Sequence, residues 1–590
     1  MKKSIFVFVY IAVICMNTAI AKDKISETDQ LFNAYKERFV LALWKMYPSW
    51  ASNVGYHKYD NVLIIPDDKS RTKELTFNKA NLDSLSKFKL AELSDANKTD
   101  YYLIENQLKY AIWGIEEQKA YEWDPSGYNV SGLFADMLNN DYATLSERVH
   151  NFYLRMAAIP AYYKAAKNNI KNPTEEHTDL AIEQNLGGVS VFAHDLPDAL
   201  DKLKLDKREK AKITQSADKA VAAIQDYAEW LKKLKNDHPR SFRLGKELYE
   251  KKFAFEIQSG YSAEEIYQKA LKHKDELHDK MYEIVKKLWP KYFSNAAFPQ
   301  ERMEAMHRMI EKLSENHVAA DSFQVAIEQQ LPVLVSFIKH KDLIYIDPSK
   351  PLVVRKEPAY MAGVAGASIS SPGPYDKNGN TYYNVGSLKG WDPQKAESYL
   401  REYNHYILQI LNIHEAIPGH YTQLVYANKS PSIIKAILGN NAMIEGWAVY
   451  AERMMLENGY DGDKAIDSKE ASPEMWLMYY KWNLRSTCNT ILDYSVHTKN
   501  MTKDDAMKLL IDDGFQQMAE AEGKWKRVSV TQVQLDCYFT GYTEIYDFRQ
   551  QLKDKMGTRF NLKQFHEQFL SYGSAPVKYI KELMLKEMAL

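Results

Sequence analysis

Apolar residues recur at steps of three and four over most of the chain, the period of an amphipathic helix. Ser262-Ala263-Glu264-Glu265 reads as a capping box. Behind it Ile266, Ala270, Leu277, Met281, Ile284 and Leu288 form one stripe that runs to Pro290. Leu145 to Ile159 and Ala217 to Leu234 behave alike, and Thr502 with Asp505 three residues on starts another helix. Residues 352–385 depart from this pattern: LVVRKEPAYMAGVAGASISSPGPYDKNGNTYYNV is rich in Gly, Ser, Pro and β-branched residues. Within it, Asp376-Lys377-Asn378-Gly379-Asn380 is a turn signal between two extended runs. The pattern therefore predicts a mainly α protein with one small hairpin or sheet. No repeat or low-complexity linker interrupts it. The simplest division is a helical N-terminal half, 22–340, continuous with a C-terminal half, 341–590, that carries the hairpin.

Composition adds limits. Of 590 residues, 45% are apolar and 26% charged, enough for a large core, and the net charge is −1. No basic block or bulk positive field attracts nucleic acid, so that class of partner is excluded. The N-terminus, MKKSIFVFVYIAVICMNTAIAKDK, has the form of a secretory signal: Lys2 and Lys3, an apolar run from Ile5 to Met16, then Ala19-Ile20-Ala21. Cleavage near Ala21 would export a chain with no membrane span, to the periplasm or the medium. The alternative is a short membrane anchor. A lipid-modified leader would use Cys15, but Ile14 stands where a small residue is expected. Cys488 and Cys537 remain after cleavage, either bridged or as two buried thiols.

The chemistry starts at HEAIPGH, His414 to His420. Asp392-Pro393 opens a helix, and Leu400, Tyr403, Ile407, Ile410 and His414 follow along one stripe. A lone histidine there is ordinarily a core residue. In the zinc signature HExxH, histidines at i and i+4 share one metal and the Glu serves as general base. Here the spacing is i, i+6, which puts them about 120° apart on a regular helix. Pro418 has no N–H to offer the carbonyl of His414, so the helix should break or bulge. Looping out Pro418-Gly419 leaves His-Glu-Ala-Ile-His and returns His420 beside His414. The other reading is a plain helix stop. Downstream, NNAMIEGWAVYAE places Glu445 and Glu452 seven residues apart, on one face of a helix among apolar neighbours. A buried carboxylate needs a partner, either a metal or an ion pair with Arg453 or Arg485.

HEAIPGH followed by EGWAVYAE resembles the bacterial domain-of-unknown-function 885 family, whose pattern is HExxPGH and then EGWAxYxE. RMAAIPAYYKAA from Arg155, YSAEEIYQKAL from Tyr261, LRSTCNTILDYSVHTKNMTKDDA from Leu484 and CYFTGYTEIYDFR from Cys537 extend the resemblance over most of the chain. The family is regarded as zinc metallopeptidases, related to helical clam-like enzymes such as neurolysin and carboxypeptidase Taq. The resemblance thus implies a large clam-like fold and one zinc ion. His414, His420 and Glu445 would be ligands, Glu415 the general base, and Glu452 a support for a ligand or an arginine. His497, Tyr538, Gly541 and Arg549 match further family positions. This chain departs from the family's Pro-Gly-Gln before that tyrosine: it has Gln532-Val533-Gln534 and keeps only the last residue.

On this reading Glu415 moves the proton of a zinc-activated water to the leaving amine. His497 and Tyr538 are candidates to stabilise the oxyanion, with Tyr542 and Tyr546 behind them. Arg485 and Arg549 are candidates to grip a substrate carboxylate, or else partners of Glu452 or Glu544. An edge strand between Tyr360 and Tyr383 would align an extended peptide. Three functions stay open: a zinc peptidase for short peptides, a zinc hydrolase of another amide or ester, and a non-catalytic exported binding protein.

Overall fold

A computed structural model describes residues 26–234, 236–350, 352–357, 367–376, 379–462 and 466–588. The leader with Cys15 and Ala21, and Tyr360, lie outside them. The fold is mainly α with one small sheet. No helix among the described residues is long and apolar enough to cross a membrane.

The helix signals act as local chemistry requires. Ser262 and Glu265 close a reciprocal capping box, and the helix runs Ala263–Tyr292, two residues past Pro290. The stripe after Ala217 belongs to the helix Lys207–Lys233. Thr502 Oγ1 accepts from the Asp505 N–H at 3.2 Å. The run from Leu145 divides: one helix ends at Met156 and the next starts at Ile159, with Pro160 in its first turn.

The stripe from Asp392 to His414 divides too. One helix spans Pro393–Glu402 and a second His405–Glu415. Asn404 causes the break. Its amide nitrogen donates to the Arg401 carbonyl, and its oxygen accepts from the N–H groups of Tyr406 and Ile407. One side chain thus ends one helix and caps the next.

The expected hairpin is part of a three-stranded sheet of order β1-β3-β2, with β1 Leu352–Lys356, β2 Ala367–Ser370 and β3 Thr381–Val385. β2 and β3 are antiparallel, with Ala367 opposite Val385. β1 is parallel to β3, with Leu352 opposite Thr381, which the long connection between them permits.

The largest apolar core joins residues from Trp123 and Phe242 through Met584, so a cut near residue 340 falls inside it. A second core is built within 128–231. A third joins the first helices to Ile434, Ile437 and Leu438, which ties the chain's start to the segment before Glu445.

Within the main core, the helices Asn441–Glu457 and Asp536–Met556 touch backbone to backbone. A Cβ on Gly446 would lie 2.2 Å from the Gly541 carbonyl carbon, and one on Gly541 would lie 1.6 Å from the Ala442 carbonyl oxygen. Only glycine fits either position. This crossing brings Tyr538 up to the turn that carries Glu445. Gly541→Ala is expected to cost about 3 kcal/mol through forced separation of these helices. A chemical-denaturation midpoint equal to that of the wild type would contradict the close crossing.

Candidate metal centre

The helix His405–Glu415 stops where proline forbids its continuation. Ala416 leaves helical geometry, the Ile417–Pro418 peptide is cis, and a new helix starts at His420. The turn is held from several sides. Gly419 N–H donates to the Ile413 carbonyl at 2.9 Å, and the buried Trp447 indole N–H donates to the Pro418 carbonyl at 2.9 Å. A Cβ on Gly419 would lie 1.9 Å from the His414 carbonyl oxygen, so glycine is required for space. The looped-out turn returns His420 to His414, with ring centroids 4.7 Å apart and planes nearly perpendicular.

Glu445 completes the group. Its Oε2 lies 3.6 Å from His414 Nε2 and 3.3 Å from His420 Nε2. One ligand atom from each of the three residues lies within 4.8 Å of the others. Glu445 Oε2 and His420 Nδ1 are buried and make no hydrogen bond with any described residue. Buried polar atoms without partners are rare in folded proteins, and here one of them belongs to a carboxylate facing two imidazoles.

His414 is tied on its other side. Its Nδ1 lies 2.7 Å from Glu452 Oε1, which also accepts from the Trp482 indole N–H at 3.1 Å. With one proton held on Nδ1 by Glu452, His414 would present its Nε2 to a metal on the Glu445 side in place of its second proton. Neither arginine expected as an alternative partner reaches these carboxylates: Arg453 pairs with Glu457 and Arg485 with Glu520. The electrostatics follow the packing. Burial opposes a charge on His414, but Glu445 and Glu452 outweigh it and raise the imidazole to about 10. Burial also opposes ionisation of Glu445, yet His420 and His414 hold it well below the usual carboxylate range. Burial raises Glu452 and Glu415, with His414 pulling both back.

Glu415 belongs to this centre by position, on the last turn of the His414 helix. Tyr383 of β3 lies under it, fully buried, and donates to Asn412 Oδ1 at 2.8 Å. Tyr538 stands within the electrostatic reach of Glu445, and its hydroxyl accepts from Arg527 at 3.3 Å.

Other expected residues lie elsewhere. His497 is on the same helix as Trp482, fifteen residues on, hence about 22 Å along the axis. Its Nε2 faces the carbonyls of Val528 and Thr531 at 3.0 and 3.1 Å, it is 1% exposed, and burial lowers it to about 4. It is a core histidine, and the oxyanion role expected for it does not fit this place. Tyr542 accepts from Arg453, and Arg549 pairs with Glu457 at 2.7 Å. Arg549 is eleven residues past Tyr538, about 16 Å along that helix, so it does not reach the centre. Glu544 accepts from Ser259 and Gly260. Cys488 and Cys537 are buried free thiols.

The loop before Tyr538 is supported by a residue outside the sequence motifs, Asp493. Val533 has φ +70, a backbone that β-branched residues avoid, at the place where the resembling family carries Gly. Asp493 holds it by accepting from the N–H groups of Val533 and Leu535, both at 3.0 Å. The Tyr249 hydroxyl bridges Asp493 Oδ1 at 3.1 Å and Asp536 Oδ2 at 2.6 Å, and both acids are fully buried. An aspartate inside the apolar stripe Ile491-Leu492-Asp493 was the available sign. Trp482 and Tyr383 left none.

The model of a family described as "Bacterial protein of unknown function (DUF885)" matches residues 48–584. The chain belongs to the DUF885 family. Among solved structures, one described as "a putative lipoprotein of unknown function from Shewanella oneidensis" is 52% identical. It aligns at a TM-score of 0.84 over 94% of this chain and 99% of its own. A second, "the putative lipoprotein from Colwellia psychrerythraea", is 16% identical with a TM-score of 0.77 over 95% and 99%, and shares the fold. No curated protein matches the chain.

Burial and the neighbouring Asp493 raise Asp536 well above the carboxylate range. An acid that stays protonated when folded but ionises normally when unfolded makes folding take up a proton, so stability falls as pH rises above about 4. Asp536→Asn removes that ionisation. The drop in denaturation midpoint from pH 5 to pH 8 should therefore be smaller in the variant. An equal drop in both proteins would contradict the raised value.

Proposed function

We propose that this DUF885 protein is a zinc-dependent hydrolase of short peptides. The observation that carries the reading is the convergence of His414, His420 and Glu445 on one point, with Glu445 Oε2 buried there between the two imidazoles and without a hydrogen bond among the described residues. Two imidazoles and one carboxylate suit zinc, and three protein ligands leave a position for water, as in catalytic rather than structural sites. No cysteine belongs to the group. Glu452 fits the same role, since a carboxylate behind a ligating histidine fixes its tautomer and ring.

When bound, zinc would supply Lewis acidity and an acidified water. Glu415 would accept the proton of that water and return it to the leaving amine. Tyr538 would donate to the oxygen of the scissile carbonyl, positioned by Arg527. His497 has no part in the step. Tyr383, through Asn412, fixes the helix end that bears Glu415.

Export belongs to the same proposal. It is supported by the leader Met1–Ala21 and by the lipoprotein description of the Shewanella oneidensis relative. Ile14 before Cys15 disfavours lipid attachment here, so the exported chain should start at Lys22 without lipid. The intact mass of protein recovered from its host decides this: a chain starting at a lipid-modified Cys15 would overturn it.

The activity is tested by incubating residues 22–590 with a mixed set of short peptides and reading the products by mass spectrometry. Wild type should cleave, and Glu415→Gln should lose at least about 100-fold in rate with zinc retained. Cleavage of esters or non-peptide amides with peptides intact would replace the substrate class. No turnover of either would remove the enzyme reading.

A further inference from the structure

A half-buried group of charges, with Lys524 buried within it, lies beside the candidate metal centre, and its cations are only partly paired. Arg485 stacks at 4.8 Å on the ring of Trp482, the residue that holds Glu452. Its guanidinium pairs with Glu520 at 2.6 Å and interacts with the Tyr403 hydroxyl, while its buried Nη1 makes no well-formed hydrogen bond to a described residue. Lys524 is 5% exposed, and its nearest carboxylate oxygen, on Glu520, is 3.8 Å away. Arg527, on the same helix, donates to Gln534 and to Tyr538. Lys481 is spent on Glu402 at 2.8 Å. Among the described residues, four cations, Lys481 included, therefore face two carboxylates, Glu402 and Glu520, between Trp482 and Tyr538. Burial and the neighbouring Arg485 hold the Lys524 ammonium down to about 7, as a local surplus of positive charge would.

A buried ammonium with no close counter-charge is costly, so Lys524 and the cations around it favour an anion. The ends of the group mark where that anion sits. Trp482 supports His414 through Glu452, and Tyr538 lies near enough to Glu445 to feel its charge, so both ends lie near the metal ligands. A peptide carries one obligatory anion, its C-terminal carboxylate. We infer that Arg485, Lys524 and Arg527 form a site for the free C-terminal carboxylate of a short peptide, so that cleavage is counted from the C-terminal end. This deepens the peptide-hydrolase reading and rests on it. Arg485 enters with Lys524 and Arg527 beside it, whereas Arg549 is engaged by Glu457. Anchoring one peptide terminus near the cutting point makes the enzyme an exopeptidase of the carboxypeptidase type, releasing a short C-terminal piece.

The test is binding by zinc-loaded Glu415→Gln, measured calorimetrically with three forms of one short peptide. These are the free acid, the C-terminal amide, and an amide with Glu placed within the sequence. The free acid should bind about ten-fold or more tightly than either amide, the worth of a charge-assisted contact. Lys524→Met and Arg527→Met should each erase most of that preference. If these variants do not fold, Arg527→Lys, which keeps the charge and loses the fork, should reduce the preference without abolishing it. Equal binding of acid and simple amide overturns the site, and so does failure to bind any form. Tight binding of the internal-Glu amide assigns the cations to an acidic side chain and overturns the terminal assignment. Wild-type cleavage of acids and amides alike would leave the hydrolase reading standing and remove this one. Acid-selective binding without any turnover would do the reverse.

Discussion

Everything at the candidate centre depends on the turn from Ala416 to Gly419. A regular helix would set His414 and His420 on different faces. The turn instead ends one helix after Glu415 and begins the next at His420, so both imidazoles face the same carboxylate. Its cause is steric and local. Pro418 lacks the N–H that would continue the helix, and only glycine can approach the His414 carbonyl as closely as residue 419 does. Trp447 then secures the turn from the helix that also carries Glu445 and Glu452, so one element both locks the histidines and faces them with carboxylates.

That helix is itself placed by contact of small residues. Gly446 and Gly541 let two helices meet at backbone distance, which sets Tyr538 opposite Glu445. The loop before Tyr538 is held less simply. Val533 occupies a left-handed backbone that glycine would take without cost, and Asp493 compensates with two backbone hydrogen bonds from the core. The protein keeps the loop's shape without the residue that would make the shape easy. Asp493 and Asp536 position the loop and are not part of the centre: Asp493 lies eleven residues past Trp482, about 16 Å along that helix.

Much of this was legible in the sequence. The helical period, the Ser262 cap and the off-register histidines followed from local rules, and local rules govern elements that close within a few residues. The looped-out Pro418-Gly419 was legible because proline and glycine act on the backbone alone. What could not be read was long-range. Asn404 divides a helix that its apolar stripe continues through, and stripes record burial rather than continuity. The parallel pairing of β1 with β3 depends on a crossover that no alternation pattern encodes. His497 matched a family position, but its contacts, the carbonyls of Val528 and Thr531, come from thirty residues away. The pairing of Arg549 with Glu457 and of Arg485 with Glu520 likewise depends on which helices cross.

The central claim is that His414, His420 and Glu445 hold one metal ion. The most direct measurement is the metal content of the chain purified without chelator and dialysed against metal-free buffer, with Glu445→Ala beside it. The account predicts one equivalent of zinc per chain in the wild type and far less than one in the variant, with helical content by circular dichroism unchanged. A wild-type chain without stoichiometric metal, or a Glu445→Ala chain that keeps its zinc, would contradict it.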